Sequence, residues 1–169
     1  GWTVKFNYTG SLLFVSAPRD EAPGNPASTG VLYIFRTGSN GWYEETYLTG
    51  SYAKDANDAM GLWNPNIFKD TLGTNEFGNI CVIGAPTDEL PTSAASSGLA
   101  YIFRSGSNGW YEEQVLSGAY ATGSNDVFGI ATDMNKTGDL VAIGAPGDEY
   151  PGSPGGMGLV YIFRSGSTG

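Results

Sequence analysis

The chain repeats itself, and internal repetition at this spacing leaves few folds open. Tyr33-Ile34-Phe35-Arg36 returns 68 residues later as Tyr101-Ile102-Phe103-Arg104, and 60 residues after that as Tyr161-Ile162-Phe163-Arg164. Ser16-Ala17-Pro18, Gly84-Ala85-Pro86 and Gly144-Ala145-Pro146 keep the same two intervals. Gly41-Trp42-Tyr43-Glu44-Glu45 recurs once, as Gly109-Trp110-Tyr111-Glu112-Glu113. The unit is therefore 60 residues long, with eight extra in the middle copy. Asn57-Asp58-Ala59-Met60-Gly61 matches Asn125-Asp126-Val127-Phe128-Gly129 at the longer offset, so the surplus falls between Gly61 and Gly84, near Leu62 to Lys69. The copies run approximately 1–60, 61–128 and 129–169, as one domain.

Each copy reads as short strands rich in Val, Ile, Tyr, Phe and Trp, fenced by Gly, Asn and Pro. The first is expected over Thr3–Phe6 and Ile130–Asp133, with no counterpart assigned in the middle copy. The second is expected over Leu12–Val15, Ile80–Ile83 and Leu140–Ile143, and the third over Val31–Phe35, Leu99–Phe103 and Leu159–Phe163. The fourth spans Trp42–Leu48 and Trp110–Leu116. Second and third strands are nearly continuous apolar runs, which suits sheets covered on both faces. Fourth strands mix aromatics with Glu, as an outer strand with one wet face does. No stretch carries a sustained helical period. Asn40-Gly41 and Asn108-Gly109 mark tight hairpins between third and fourth strands.

Composition narrows the chemistry. There is no histidine among the 169 residues, so a Ser-His-Asp or Cys-His centre, a histidine base and a histidine zinc site are excluded. Cys81 is the sole cysteine and sits in an apolar run, where it reads as a small buried thiol. A net charge of −9 disfavours a nucleic-acid partner, and no apolar run is long enough to cross a bilayer.

Phe-Gly, then Asn-x-x-Gly, then Gly-Ala-Pro, then a Tyr-Ile-Phe strand resembles the FG-GAP repeat of integrin α chains and many surface proteins. Phe128-Gly129 with Gly144-Ala145-Pro146 matches in full. Met60-Gly61 departs at the aromatic, and Ser16-Ala17-Pro18 at the first glycine. The resemblance implies an all-β fold of β-propeller blades, the last copy lacking its outer strand. Because propellers close with four or more blades, and this family usually with about seven, the chain reads as a segment of a larger propeller. Remaining blades of the same chain, or a homo-oligomer, would complete the ring. An open wedge of three would expose two apolar blade faces.

The resemblance also implies an EF-hand-like calcium loop between first and second strands. The third copy offers Asp133, Asn135, Thr137 and Asp139 at alternate positions, with Lys136 adding an adverse charge. All three copies keep Asn-x-x-Gly, which a hairpin turn also demands. Asn7-Tyr8-Thr9 and Asn135-Lys136-Thr137 in these turns are formal N-glycosylation acceptors, at Asn7 and Asn135. The loop between second and third strands carries Asp20-Glu21, Asp88-Glu89 and Asp148-Glu149, which should line the opposite end. One reading is an acidic rim for a partner. The other is that each Asp caps its own turn while Glu stays solvated. Trp63 and Phe68 in the insertion read either as an interface anchor or as local packing. Arg36, Arg104 and Arg164 are expected to bond neighbouring carboxylates.

No nucleophile elbow and no carboxylate pair stands outside the repeat. The expectation is a noncatalytic extracellular or cell-surface scaffold for binding or adhesion, with a protein or glycan at the loop face. The alternative is a lectin-like glycan binder, or an accessory module of a secreted enzyme.

Overall fold

A computed structural model describes residues 1–61, 70–153, 155 and 157–166. Among these the protein is all β, without a helix. The first copy gives β1 (Val4–Phe6), β2 (Leu12–Ala17), β3 (Val31–Gly38) and β4 (Gly41–Leu48). The second gives β5 (Leu72–Thr74), β6 (Ile80–Ala85), β7 (Leu99–Gly106) and β8 (Gly109–Leu116). The third gives β9 (Ala131–Met134), β10 (Leu140–Ala145) and β11 (Leu159–Arg164). Each copy is its own antiparallel sheet, in the orders β1-β2-β3-β4, β5-β6-β7-β8 and β9-β10-β11.

The second strands run two residues further than their apolar cores, through the small pair before proline, because Ser16, Gly84 and Gly144 still pair with Leu32, Ala100 and Val160. Strand β5 escapes sequence inspection, since the insertion destroys the register that locates its equivalents. A bulge interrupts the β3–β4 ladder between Ile34 and Phe35, and the β7–β8 ladder between Ile102 and Phe103.

Side chains alternate between faces along a strand, and paired residues on neighbouring strands share a face. Leu12, Phe14, Leu32 and Ile34 on one face of the first sheet pack against Cys81, Ile83, Tyr101 and Phe103 of the second. The opposite face of the second sheet, with Ile80, Val82 and Ala100, packs against Val141, Ile143, Tyr161 and Phe163 of the third. The middle sheet is thus covered on both sides. Its β6 is buried at all six positions, whereas β2 and β10 alternate buried with half-buried residues. Removing this apolar surface from water, at roughly 25 cal/mol per Å², favours both seams. Strand β5 lies beside both β1 and β9, so the first strands of the three sheets gather on one side.

Candidate functional site

Antiparallel order puts the β2–β3 type loops and the segments after the fourth strands at one end of every sheet. At that end the acidic pair has the same wiring in each copy. One carboxylate oxygen of Asp20, Asp88 and Asp148 accepts the N–H of the following Glu, at 3.0, 2.8 and 2.8 Å. The other accepts the hydroxyl of the tyrosine 13 residues on: Tyr33 at 2.7 Å in the first copy, Tyr101 and Tyr161 in the others. The carbonyls of the same aspartates receive Gly30, Gly98 and Gly158 N–H groups, closing the loop onto its third strand. Glu89 in turn accepts the N–H of Ser96 at 2.9 Å, and Glu21 that of Ser28 at 3.5 Å. Those serines sit at φ of 57° and 61°, a left-handed conformation that the carboxylate helps hold. Each Asp therefore caps its loop and anchors the Tyr-Ile-Phe-Arg strand.

Burial of this wiring depends on the preceding copy. The segment after β4 hydrogen-bonds the β2–β3 loop of its own copy through Ala59 N to Ser28 O and Met60 N to Thr29 O. It then reaches the next sheet, where Thr87 Oγ1 donates to Asp58 O at 2.6 Å. A side chain at Gly50 would overlap the Tyr101 ring, and one at Gly118 would come within 2.8 Å of the Tyr161 ring. So Asp88 and Tyr101 are 2% and 0% exposed, while in the first of the three described sheets Asp20 is exposed and Tyr33 half-buried. Burial pushes the Asp88 carboxyl up to about 7, despite the opposing hydrogen bond from Tyr101. Burial likewise lifts Asp58 to about 6, although its carboxylate accepts Asp55 N–H at 2.6 Å. Tyr33 is raised to about 12 by its bond to Asp20, and Tyr161 to about 12 chiefly by burial.

Between the second and third sheets the same end opens into a notch of about 350 Å³. Tyr120 and Tyr150 stand in it edge to face, with ring centres 5.1 Å apart, beside Asp126, Asp148 and Glu149. Burial raises the Asp126 carboxyl, which accepts Gly123 N–H at 2.6 Å. At the matching position of the other seam, Leu90 packs against the core in place of Tyr150. Sequence reading missed Tyr33, Tyr101 and Tyr161 as partners of the acidic pairs, and Asp58 and Asp126 as their neighbours. The fixed 13-residue spacing from Asp to Tyr and the recurring Asn-Asp pair were the available signals.

The other end carries the Asn-x-x-Gly turns. Oδ1 of Asn7, Asn75 and Asn135 accepts the N–H of Leu12, Ile80 and Leu140 at 3.0–3.1 Å. Gly10, Gly78 and Gly138 close the turns at φ of 69°, 72° and 81°, where a Cβ would be strained. The turns also bond one another, Tyr8 N to Glu76 O at 3.1 Å and Glu76 N to Lys136 O at 2.9 Å. Lys136 Nζ lies 5.5 Å from the Tyr8 ring centre.

This architecture bears on calcium. Because Asn135 Oδ1 is fixed by two backbone N–H groups, its Nδ2 points at Thr137 Oγ1 (3.0 Å) and Asp139 Oδ1 (2.7 Å). An amide donor thus occupies the centre that a cation would need. Asp139 also accepts the Thr137 hydroxyl, the main reason its carboxyl is held below the usual range. Asp133 accepts Met134 N–H at 2.9 Å from within β9. As arranged, these four residues do not fit a calcium ion, which takes six to eight convergent oxygens. Among the described residues no group of three or more acidic, Cys or His side chains converges on a metal position. Asn7 is 5% exposed and its Nδ2 faces Thr9, Ser11 and Phe77, so a glycan, which replaces one of its two N–H groups, would disrupt this set. Asn135 is half-buried and its Nδ2 is similarly engaged.

Arg36 grips Glu45 across the β3–β4 pair at 2.7 and 3.0 Å, and Arg104 meets Glu113 at 2.6 Å. Arg164 lies 3.7 Å from Asp139. Cys81 is fully buried, which pushes its thiol up. Trp63 and Phe68 lie outside the described residues. No helix among the described residues is long and apolar enough to cross a membrane. No protein-family model matches the chain, and no curated protein matches it.

Proposed function

We propose that this protein is a noncatalytic binding or adhesion scaffold, built as a segment of an FG-GAP-type β-propeller and working outside the cell or at its surface. One observation carries the reading. The Asp of the β2–β3 type loop and the Asn of the Asn-x-x-Gly turn bond at the same atoms in each copy to their own turns and strands. An active site breaks symmetry; these groups preserve it. Three sheets packed face to face, with first strands gathered on one side, support the propeller. On this reading the partner meets the end bearing the Asp-Glu loops, where loop variation costs the sheets little.

A second reading, glycan binding, draws support from the seam notch. An exposed Tyr150 beside Tyr120, with carboxylates at hand, offers both a stacking surface and hydroxyl acceptors. The two are separated by screening the chain against a glycan array and against hydrolase substrates. The scaffold reading expects no turnover of ester, glycosidic, peptide or phosphoester bonds. Turnover that follows the chain through purification and disappears in Asp148→Asn would overturn it. Glycan retention lost in Tyr150→Ala would establish the second reading instead.

A further inference from the structure

At the end bearing the Asp-Glu loops, the two seams carry the same residues except at one position. Asp58, Asp88 and Glu89 at the first seam correspond to Asp126, Asp148 and Glu149 at the second, and Tyr52 corresponds to Tyr120. The residue after the Glu differs. Leu90 packs against the core at the first seam, whereas Tyr150 stands 58% exposed at the second. Its ring meets that of Tyr120 at 68°, so the pair forms a corner of two aromatic surfaces instead of a stack. Asp126 and Asp148, 7% and 1% exposed, lie in the wall of the notch beside this corner. Gly123 N–H donates to Asp126, and Glu149 N–H and the Tyr161 hydroxyl donate to Asp148. Neither aspartate forms an ion pair among the described residues. No Lys or Arg is among the described residues that line the notch.

We propose that this notch binds a small organic cation, the trimethylammonium group of a choline-type molecule, held between the rings of Tyr120 and Tyr150 and the two aspartates. Negative charge lining a cleft draws in a positive ligand. Aromatic faces attract a cation through the ring quadrupole, most strongly where water is excluded. A trimethylammonium group donates no hydrogen bond, so it suits carboxylates whose oxygens already accept internal donors. A primary ammonium would give up hydration that this wall does not replace in full. The same negative wall repels a ligand with phosphate beside its cation, so the free cation is the occupant rather than its phosphate ester. The first seam has the same acids and lacks the second ring, so the site belongs to the second seam alone of the two. The inference rests on the binding reading and gives its loop end a ligand class.

The test follows the ring protons of Tyr120 and Tyr150 by nuclear magnetic resonance while choline chloride is added to the whole chain. Saturable shifts of both rings are expected. The neutral alcohol of the same shape, with a tert-butyl group in place of the trimethylammonium, is expected to bind about tenfold more weakly. Ethanolamine and phosphocholine should also bind more weakly than choline. Tyr150→Leu, which installs the residue found at the first seam, should weaken choline binding about tenfold with parental circular dichroism, and Tyr150→Phe should retain it. Tyr120→Leu reads the other ring if Tyr150→Leu does not fold. Absence of saturable shifts, equal binding of the neutral alcohol, or full affinity in the folded leucine variant would each overturn the cation site. Tighter binding of ethanolamine or phosphocholine would overturn its assignment to a free trimethylammonium group. None of those results would touch the scaffold reading, which falls only to catalytic turnover.

Discussion

In a chain of these three sheets alone, Gly84→Ala is expected to destabilise the fold by about 3 kcal/mol or more, whereas Gly144→Ala is expected to cost less than about 0.5 kcal/mol. The two glycines occupy the same place in the repeat, so the contrast isolates the seam. A Cβ on Gly84 would overlap the carbonyl oxygen of Gly129, and backbone cannot yield as a flexible side chain does. Gly129 is itself pinned by its N–H to Gly144 O at 3.1 Å, so the two sheets would have to part. At Gly144 the nearest atom to an added Cβ is Ala131 Cβ at 3.7 Å, an ordinary contact. In a chain of this length each kcal/mol lowers the melting temperature by about 2–4 °C. The drop for Gly84→Ala is then about 6–12 °C, readable by calorimetry. Equal effects at both glycines would deny the seam its role.

Tyr101→Ala should be more damaging still, at about 4 kcal/mol, and Tyr33→Ala should cost about 1 kcal/mol. Tyr101 is fully buried in the seam beneath Gly50, and its loss leaves a cavity and a buried Asp88 without its hydroxyl donor. Tyr33 makes the same bond on the outward side of the first sheet, where, in a chain of these three sheets alone, water replaces it. The pH dependence follows from the same burial. Folded Asp88 and Asp58 retain protons up to about 7 and about 6, while unfolded aspartates release theirs near 4. Between those limits the folded state binds more protons, so these groups make stability fall as pH rises from about 4 to 7. The protein is expected to melt higher at pH 5 than at pH 8, and Asp88→Asn should flatten that slope. A parent whose melting temperature climbs across this range would contradict the burial argument.

Much of the fold is legible in the residues themselves. The recurring Tyr-Ile-Phe-Arg and small-Ala-Pro segments locate β2, β3 and their equivalents, because apolar runs bounded by Gly and Pro admit little else. Strand β5 is not legible, because its three residues carry no pattern of their own and the insertion hides their alignment. The acidic pairs teach a further lesson. Asp20, Asp88 and Asp148 look alike in sequence, and their loop-capping follows from a side chain that bonds backbone locally. Their different burial does not follow from the sequence, since it is imposed by whichever sheet lies ahead of each. The calcium expectation rested on oxygen spacing in one loop. What spacing could not reveal is that Asn135 uses its amide to stitch Thr137 and Asp139 together.

The central claim is that each repeat is its own sheet and that sheets meet through equivalent seams. Nuclear Overhauser contacts test it most directly, with the Trp110 indole as reporter, since its ring lies 5.8 Å from that of Phe14 at 84°. A cross-peak between these two rings, with another between Gly50 and the Tyr101 ring, is the predicted result. Their absence, together with backbone contacts pairing β4 with β5 or β8 with β9 in one continuous sheet, would contradict it.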